Sequence, residues 1–177
     1  MMSSATLGLW ALLLLSQFYS TSGILHGPGY AFTLVAPPGW VFDDKSGADD
    51  GLPAVFYRDG ETWPSAKVVM YAKVSALERG QLLDQGIAAA IRRLKRTNPS
   101  LEVETAPPIP RVLGGTFQVR VFRGTWGGAT EYVAYSAEGA WVVQLVLSGS
   151  SELISDAYGS YLQLLKTYAF FSDRVQE

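Results

Sequence analysis

The chain has no cysteine and a single histidine, His26. Without thiols there is no disulfide framework, no thiolate metal site, no cysteine nucleophile and no lipid-bearing cysteine. One histidine leaves little room for His-rich zinc sites or a Ser-His-Asp arrangement. Neither sign of charge dominates: 14 Lys+Arg against 16 Asp+Glu give a formal net charge of −2, without the basic excess of a dedicated nucleic-acid binder. There is no apolar run long enough to span a bilayer, which takes roughly 17–25 residues. Charge itself is missing from the start, since the first charged side chain is Asp43.

Within that uncharged stretch, residues 7–15 (Leu7 to Leu15) form a nine-residue apolar core followed by Ser20-Thr21-Ser22-Gly23. This matches the apolar region and small-residue cleavage site of a secretory signal peptide, although no Lys or Arg precedes the core. Ser20 and Ser22 occupy the −3 and −1 positions for cleavage after Ser22, with Gly23 as the alternative site. An uncleaved anchor, or an apolar first element of the domain, are the competing readings. Residues 1–22 are therefore expected to be an export signal and 23–177 a single domain, placing the protein in the periplasm or outside the cell.

Hydrophobic content of 48% marks a globular chain. Residues 30–35 alternate as a strand that Pro37-Pro38-Gly39 stops; 40–42 and 54–57 read as further strands, separated by a polar loop at 43–53. Residues 67–74 form an apolar strand. Ser75 and Glu78 have the spacing of a capping box, which predicts a helix from there to about Thr97. Leu83, Ile87, Ala90, Ile91 and Leu94 give that helix one apolar face. Residues 101–105 alternate as a strand, and Pro107, Pro108 and Pro110 turn 106–110 into an extended connector unfit for a central position. Three strands at 117–123, 130–136 and 140–148 form a meander. Pairing Arg123 with Glu131 sets Val121 beside Val133, and puts Phe122, Tyr132, Val143, Leu145 and Trp141 on the other face. Ser150 or Ser151 caps a second helix with an apolar face of Ile154, Ala157, Tyr158, Tyr161 and Leu165. The class is α+β: a largely antiparallel sheet with both faces mostly apolar and a helix on each, an α/β/α sandwich.

Tyr30-Ala31-Phe32-Thr33-Leu34 leading into Ala36-Pro37-Pro38-Gly39-Trp40 resembles the opening of the PsbP/DcrB-like superfamily. The central helix, Gly114-Gly115 before a meander, and a last helix ending in Tyr168-Ala169-Phe170-Phe171 are similar to its layout, so the resemblance covers nearly all of 29–171. It implies a small secreted, periplasmic or lumenal α/β/α sandwich. Its members include photosystem II extrinsic subunits, Ran-binding proteins and envelope proteins, so it implies no single activity.

Candidate chemistry is sparse. Asp43, Asp44, Asp49 and Asp50 are carboxylates of the kind Ca²⁺ takes, but their spacing fails the EF-hand pattern and a solvated loop is expected. His26, beside Gly27-Pro28-Gly29, is expected to be exposed and mobile rather than a base. Arg92, Arg93, Lys95 and Arg96 either meet an anionic surface or complement the negative end of the helix dipole, which is the favoured reading. Gly114-Gly115 and Gly127-Gly128 are turn glycines, not phosphate loops. Trp63 and Trp126 lie in loops, where tryptophan either marks a contact surface or folds over the core edge. With Arg58 and Arg123 as a polar rim they are the partner-binding candidates. The expectation is a non-enzymatic exported envelope protein that binds a macromolecular partner or supports an assembly, with no metal, no cofactor and no nucleic acid. A carrier of a small apolar ligand held between sheet and helix is the alternative, and a hydrolase is third.

Overall fold

The computed structural model describes residues 21–172, apart from the side chains of Trp126 and Ser172. Most of the segment read as an export signal, residues 1–20, lies outside the described residues.

Among the described residues, ten strands build two antiparallel sheets. The strands of the larger sheet are β3 (Trp40–Asp43), β4 (Ala54–Arg58), β5 (Val68–Ala76), β6 (Glu102–Pro110), β7 (Thr116–Arg123), β8 (Thr130–Glu138) and β9 (Trp141–Gly149), in the order β3-β4-β5-β9-β8-β7-β6. The smaller sheet joins β1 (Ser22–Gly27), β2 (Tyr30–Val35) and β10 (Ala169–Ser172) in the order β1-β2-β10. The α-helices among the described residues are α1 (Leu83–Thr97) and α2 (Ser151–Thr167). This is the α+β sandwich with a helix on each face of the large sheet, enlarged by a second sheet on the α2 side.

Local chemistry accounts for the main breaks. Trp40 N–H donates to Pro37 O at 3.0 Å, closing a turn whose Gly39 sits at φ +77°, where a side chain would be strained. That turn carries the chain from the small sheet to the edge of the large one. β6 is the opposite edge, and its register slips between Ala106 and Ile109, where Pro107 and Pro108 offer no ladder donor. An outermost strand tolerates this loss.

The main core lies between the large sheet, α2 and the small sheet. Phe32 and Leu34 of β2, Phe56, Met70 and Leu145 of the large sheet, and Tyr161 and Leu164 of α2 are fully buried there. Tyr161 satisfies its hydroxyl by donating to Leu145 O at 2.7 Å. The opposite face of the large sheet holds two smaller clusters. One joins Ile87 of α1 to Phe122, Val133, Tyr135 and Val146; the other gathers Val41, Leu52, Val55 and Tyr57.

Several expectations change. The helix does not start at Ser75, which pairs with Val142 inside β5; Leu82 precedes its first turn, where Gln85 Oε1 accepts from Leu82 N–H at 3.1 Å. Ladder pairing of a β-branched, half-buried strand wins over the local capping option. The β7–β8 register is one residue off that expected: Arg123 pairs with Thr130, Phe122 with Glu131 and Val121 with Tyr132. Because strand side chains alternate, that slip places Phe122 on the α1 face and leaves Tyr132 packed toward α2. Finally, His26 is exposed but stands in strand β1 opposite Ala31, not in a loose tail.

Candidate functional site

The candidate site lies on the α1 face of the large sheet. Along β5, Tyr71 and Lys73 alternate with the core-facing Met70 and Ala72, so both present themselves to α1. The ladder sets Lys73 opposite Gln144 and Gln144 opposite Tyr135; one row away, Tyr71, Val146 and Val133 line up the same way. An apolar sheet face thus carries a polar stripe.

Above it, α1 does not seat fully. Of its apolar face only Ile87 is buried, while Leu94 is 44% exposed. Tethers flank the helix instead: in the segment before it Leu77 N–H donates to Ala140 O at 2.8 Å, and just past its C-terminus Asn98 Nδ2 donates to Gly124 O at 2.7 Å. The gap beneath its C-terminal half is a cleft of about 500 Å³. Leu94, Leu101, Phe122 and Val146 wall it, and Tyr71, Glu131, Tyr135, Lys73 and Gln144 furnish its polar groups. A second hollow of about 450 Å³ lies along the helix toward its N-terminus, between Leu77, Ile87 and Val142, and shares Tyr135 and Gln144 with the first.

Glu131 anchors the polar end of the cleft. Its Oε1 accepts from the Tyr71 hydroxyl and from Ser148 Oγ, each at 3.3 Å. Burial pushes its carboxyl above the ordinary range, against the pull of those hydrogen bonds and of Lys73. Burial also drives the Tyr71 and Tyr135 phenols far up, so both are neutral donors at physiological pH.

The residues singled out from sequence fall in several places. Trp63 is half-buried; its ring meets Tyr71 edge-on at 6.3 Å and its Nε1 donates to Asp50 Oδ2 at 3.4 Å. It therefore folds over the core edge and buttresses a wall of the cleft. The side chain of Trp126 lies outside the described residues, but its turn is placed: Thr125 and Gly127 border the cleft mouth, and Gly127 and Gly128 share a shallow hollow with Ala66 and Lys67. The two tryptophan-bearing segments thus meet at one end of the sheet. Arg58 lies over the Trp40 ring at 5.4 Å, and Arg123 pairs with Glu104 at 2.9 Å. Arg58 and Arg123 stand on β4 and β7, four strand spacings or about 19 Å apart, so they do not converge.

Asp43, the first of the loop carboxylates, is committed to the fold. Burial raises its carboxyl, but amide donors of Lys45 and Ser46 at 2.8 and 2.9 Å and the Tyr57 hydroxyl at 2.9 Å outweigh this and bring it to about 2. Among the described residues no group of three or more His, Asp or Glu is placed to hold a metal ion. At the far end of the sheet, Arg111 and Glu138 form a mostly buried pair at 2.7 Å, which Ser136 and Tyr168 complete.

Sequence reading missed the cleft residues Tyr71, Lys73, Glu131 and Gln144. The signal was present: three polar side chains interrupt apolar strands, and the true register puts them on one face under an amphipathic helix.

No family model and no curated protein matches the sequence. Solved structures do. Cyanobacterial PsbP (CyanoP) from Synechocystis superposes with a TM-score of 0.54 at 14% identity, covering 88% of this chain and 96% of its own. The Ran-binding protein Mog1p of Saccharomyces cerevisiae superposes with a TM-score of 0.50 at 17% identity, covering 84% of this chain and 93% of its own. The chain has the PsbP-like fold.

Proposed function

We propose that this chain is an exported, non-enzymatic protein of the periplasm or extracellular space that binds a macromolecular partner or supports an assembly. The observation that carries the reading is the open cleft under α1, with unburied apolar side chains above and a polar stripe below. A helix with one apolar face ordinarily spends that face on its own core; here much of it stays available to something else. The polar groups of the cleft favour binding over proton transfer, because the phenols stay neutral and Glu131 is held by two hydroxyl donors. The name of Mog1p, a Ran-binding protein on the same fold, points the same way by analogy. Export rests on the apolar core at 7–15 and the small residues after it. Trp63 and the turn bearing Trp126 supply the contact surface beside the cleft mouth, without a shared rim from Arg58 and Arg123, which lie too far apart to form one.

A second reading, a carrier of a small apolar ligand, is favoured by the cleft volume and by walls of Leu94, Leu101, Phe122 and Val146. One experiment separates them. The protein is isolated from its native envelope under gentle conditions and analysed by native mass spectrometry and by affinity capture of crosslinked neighbours. A saturable protein partner supports the first reading. A bound small molecule with no partner supports the carrier. Turnover of a substrate by the purified protein would overturn both.

A further inference from the structure

We infer that the groove along α1 takes an extended segment of a protein partner bearing one acidic side chain flanked, two residues away on each side, by apolar ones. The inference rests on the partner-binding reading and names the chemistry of that partner.

Charge is distributed along the groove in a definite order. Lys73 stands near its middle, at the row shared with Gln144 and Tyr135, the two residues common to both hollows. Arg93 and Arg96 overhang the same region from α1. All three cations are exposed, and none belongs to an ion pair among the described residues. The two carboxylates that line the groove sit away from this point: Glu131 at one end, already engaged by Tyr71 and Ser148, and Glu78 in the segment before α1 at the other. The middle of the groove is therefore the place for an anion.

Apolar ground lies on either side of it. The row of Tyr71, Val146 and Val133 precedes the cationic row, with Leu94 of α1 also lining the cleft there; the row of Ser75 and Val142 follows it, with Leu77 and Ile87 beside it. Rows on one face of a sheet repeat about every 6.8 Å, which is the spacing of alternate side chains in an extended peptide. An apolar–x–acid–x–apolar segment laid along the groove brings each side chain over its matching row. Charge-assisted hydrogen bonds fix the centre and apolar burial holds the flanks.

The test measures fluorescence anisotropy of a labelled short peptide, Ser-Leu-Ser-Asp-Ser-Leu-Ser, which places Leu, Asp and Leu at alternate positions on one face, added to the full mature protein. Its Leu/Asn counterpart, a free dicarboxylate and vesicles rich in anionic lipid are the comparison arms. Binding of the Leu/Asp peptide, about tenfold weaker to an Arg93→Gln/Arg96→Gln variant and also weakened by Lys73→Gln, is the expected result. An Arg92→Gln/Lys95→Gln variant removes the same charge from the helix without touching the groove, and should change affinity less than about twofold. Equal loss in that control, equal affinity for the Leu/Asn peptide, binding to vesicles or dicarboxylate alone, or no binding at all each overturns the inference. Circular dichroism melts check that the variants fold. If the native partner is still captured by the Arg93→Gln/Arg96→Gln variant, the groove assignment fails while the partner-binding reading stands.

Discussion

The Tyr71 hydroxyl reaches across strand β9 to donate to Glu131 Oε1 at 3.3 Å. Ser148, on the strand between them, donates to the same oxygen at the same distance. Three neighbouring strands are thus tied through one carboxylate at the end of an open cleft, where water is scarce enough to raise its carboxyl yet two hydroxyls remain to receive its charge. Keeping an acid there costs stability, and that cost is measurable.

Its sign follows from linkage. A carboxyl raised in the folded state binds its proton more tightly there than in the unfolded chain. Its contribution to stability is fully present below the unfolded value, about 4.3 for Glu, and is lost as pH rises through the higher folded value. Urea midpoints of the wild type should fall across that window, and Glu131→Gln should remove this part of the pH dependence while keeping a side chain that hydrogen-bonds to Tyr71. Identical pH profiles for the two proteins would show that Glu131 is not perturbed by its surroundings.

Trp40 begins the large sheet immediately after the Pro37-Pro38-Gly39 turn and is 6% exposed, with Arg58 stacked over its ring. Trp40→Ala should cost ~3–5 kcal/mol, through lost contact area and a cavity the edge strand cannot fully close. Chemical denaturation monitored by far-UV circular dichroism gives the number. A loss below ~1 kcal/mol would mean the indole contributes no core packing.

What sequence could and could not reveal follows the range of the forces involved. β2, β4, β8 and β9 announce themselves through alternation and turn residues, which are local, and the apolar face of α2 through its helical period. β1 was invisible because Gly23 and Gly27 have little strand preference; pairing with β2 imposes the strand. At Gly23 the missing side chain even makes room for the Phe42 ring, which an added Cβ would meet at 2.4 Å. The meander register was off by one residue because residues 124–129 close the hairpin through a 3-10 turn that no pair of flanking charges encodes. The cleft depends on how far α1 stands from the sheet, and that distance is set by tethers at Leu77 and Asn98, more than twenty residues apart. Periodicity identifies the face of a helix, not its height above a sheet.

The pair Arg111–Glu138 carries a prediction of another kind. Its side chains are 14% and 11% exposed, and Arg111 also stacks on Phe117 and Tyr168. Removing one charge strands the other in a nearly dry setting, so Glu138→Leu alone should cost about 3–5 kcal/mol. Arg111→Met combined with Glu138→Leu removes both charges while keeping the bulk, and should cost less than either single change. A double-mutant cycle by urea denaturation reads this directly. Strict additivity would mean the two residues act independently despite the 2.7 Å contact.

The last prediction concerns the tryptophan-bearing segments. Trp63 braces Tyr71, and Tyr71 holds Glu131, so this indole acts on the cleft through the residues it supports. Trp63→Ala should cost about 1–2 kcal/mol, less than a fully buried tryptophan, because the ring is only half-buried. Trp126→Ala probes the turn whose neighbours Thr125 and Gly127 border the cleft mouth. If the two segments form the surface that a partner meets, the Trp63→Ala/Trp126→Ala double variant should stay folded at ambient temperature and lose partner capture from the native envelope. Each single variant should lose only part of it, since hot-spot aromatics share an interface. Arg58→Ala and Arg123→Ala serve as comparisons: with Arg58 stacked on Trp40 and Arg123 paired with Glu104, each is already engaged within the chain and should weaken capture only slightly. Full capture by the folded double variant would move the contact surface away from this end of the sheet and leave the groove along α1 as the place to look.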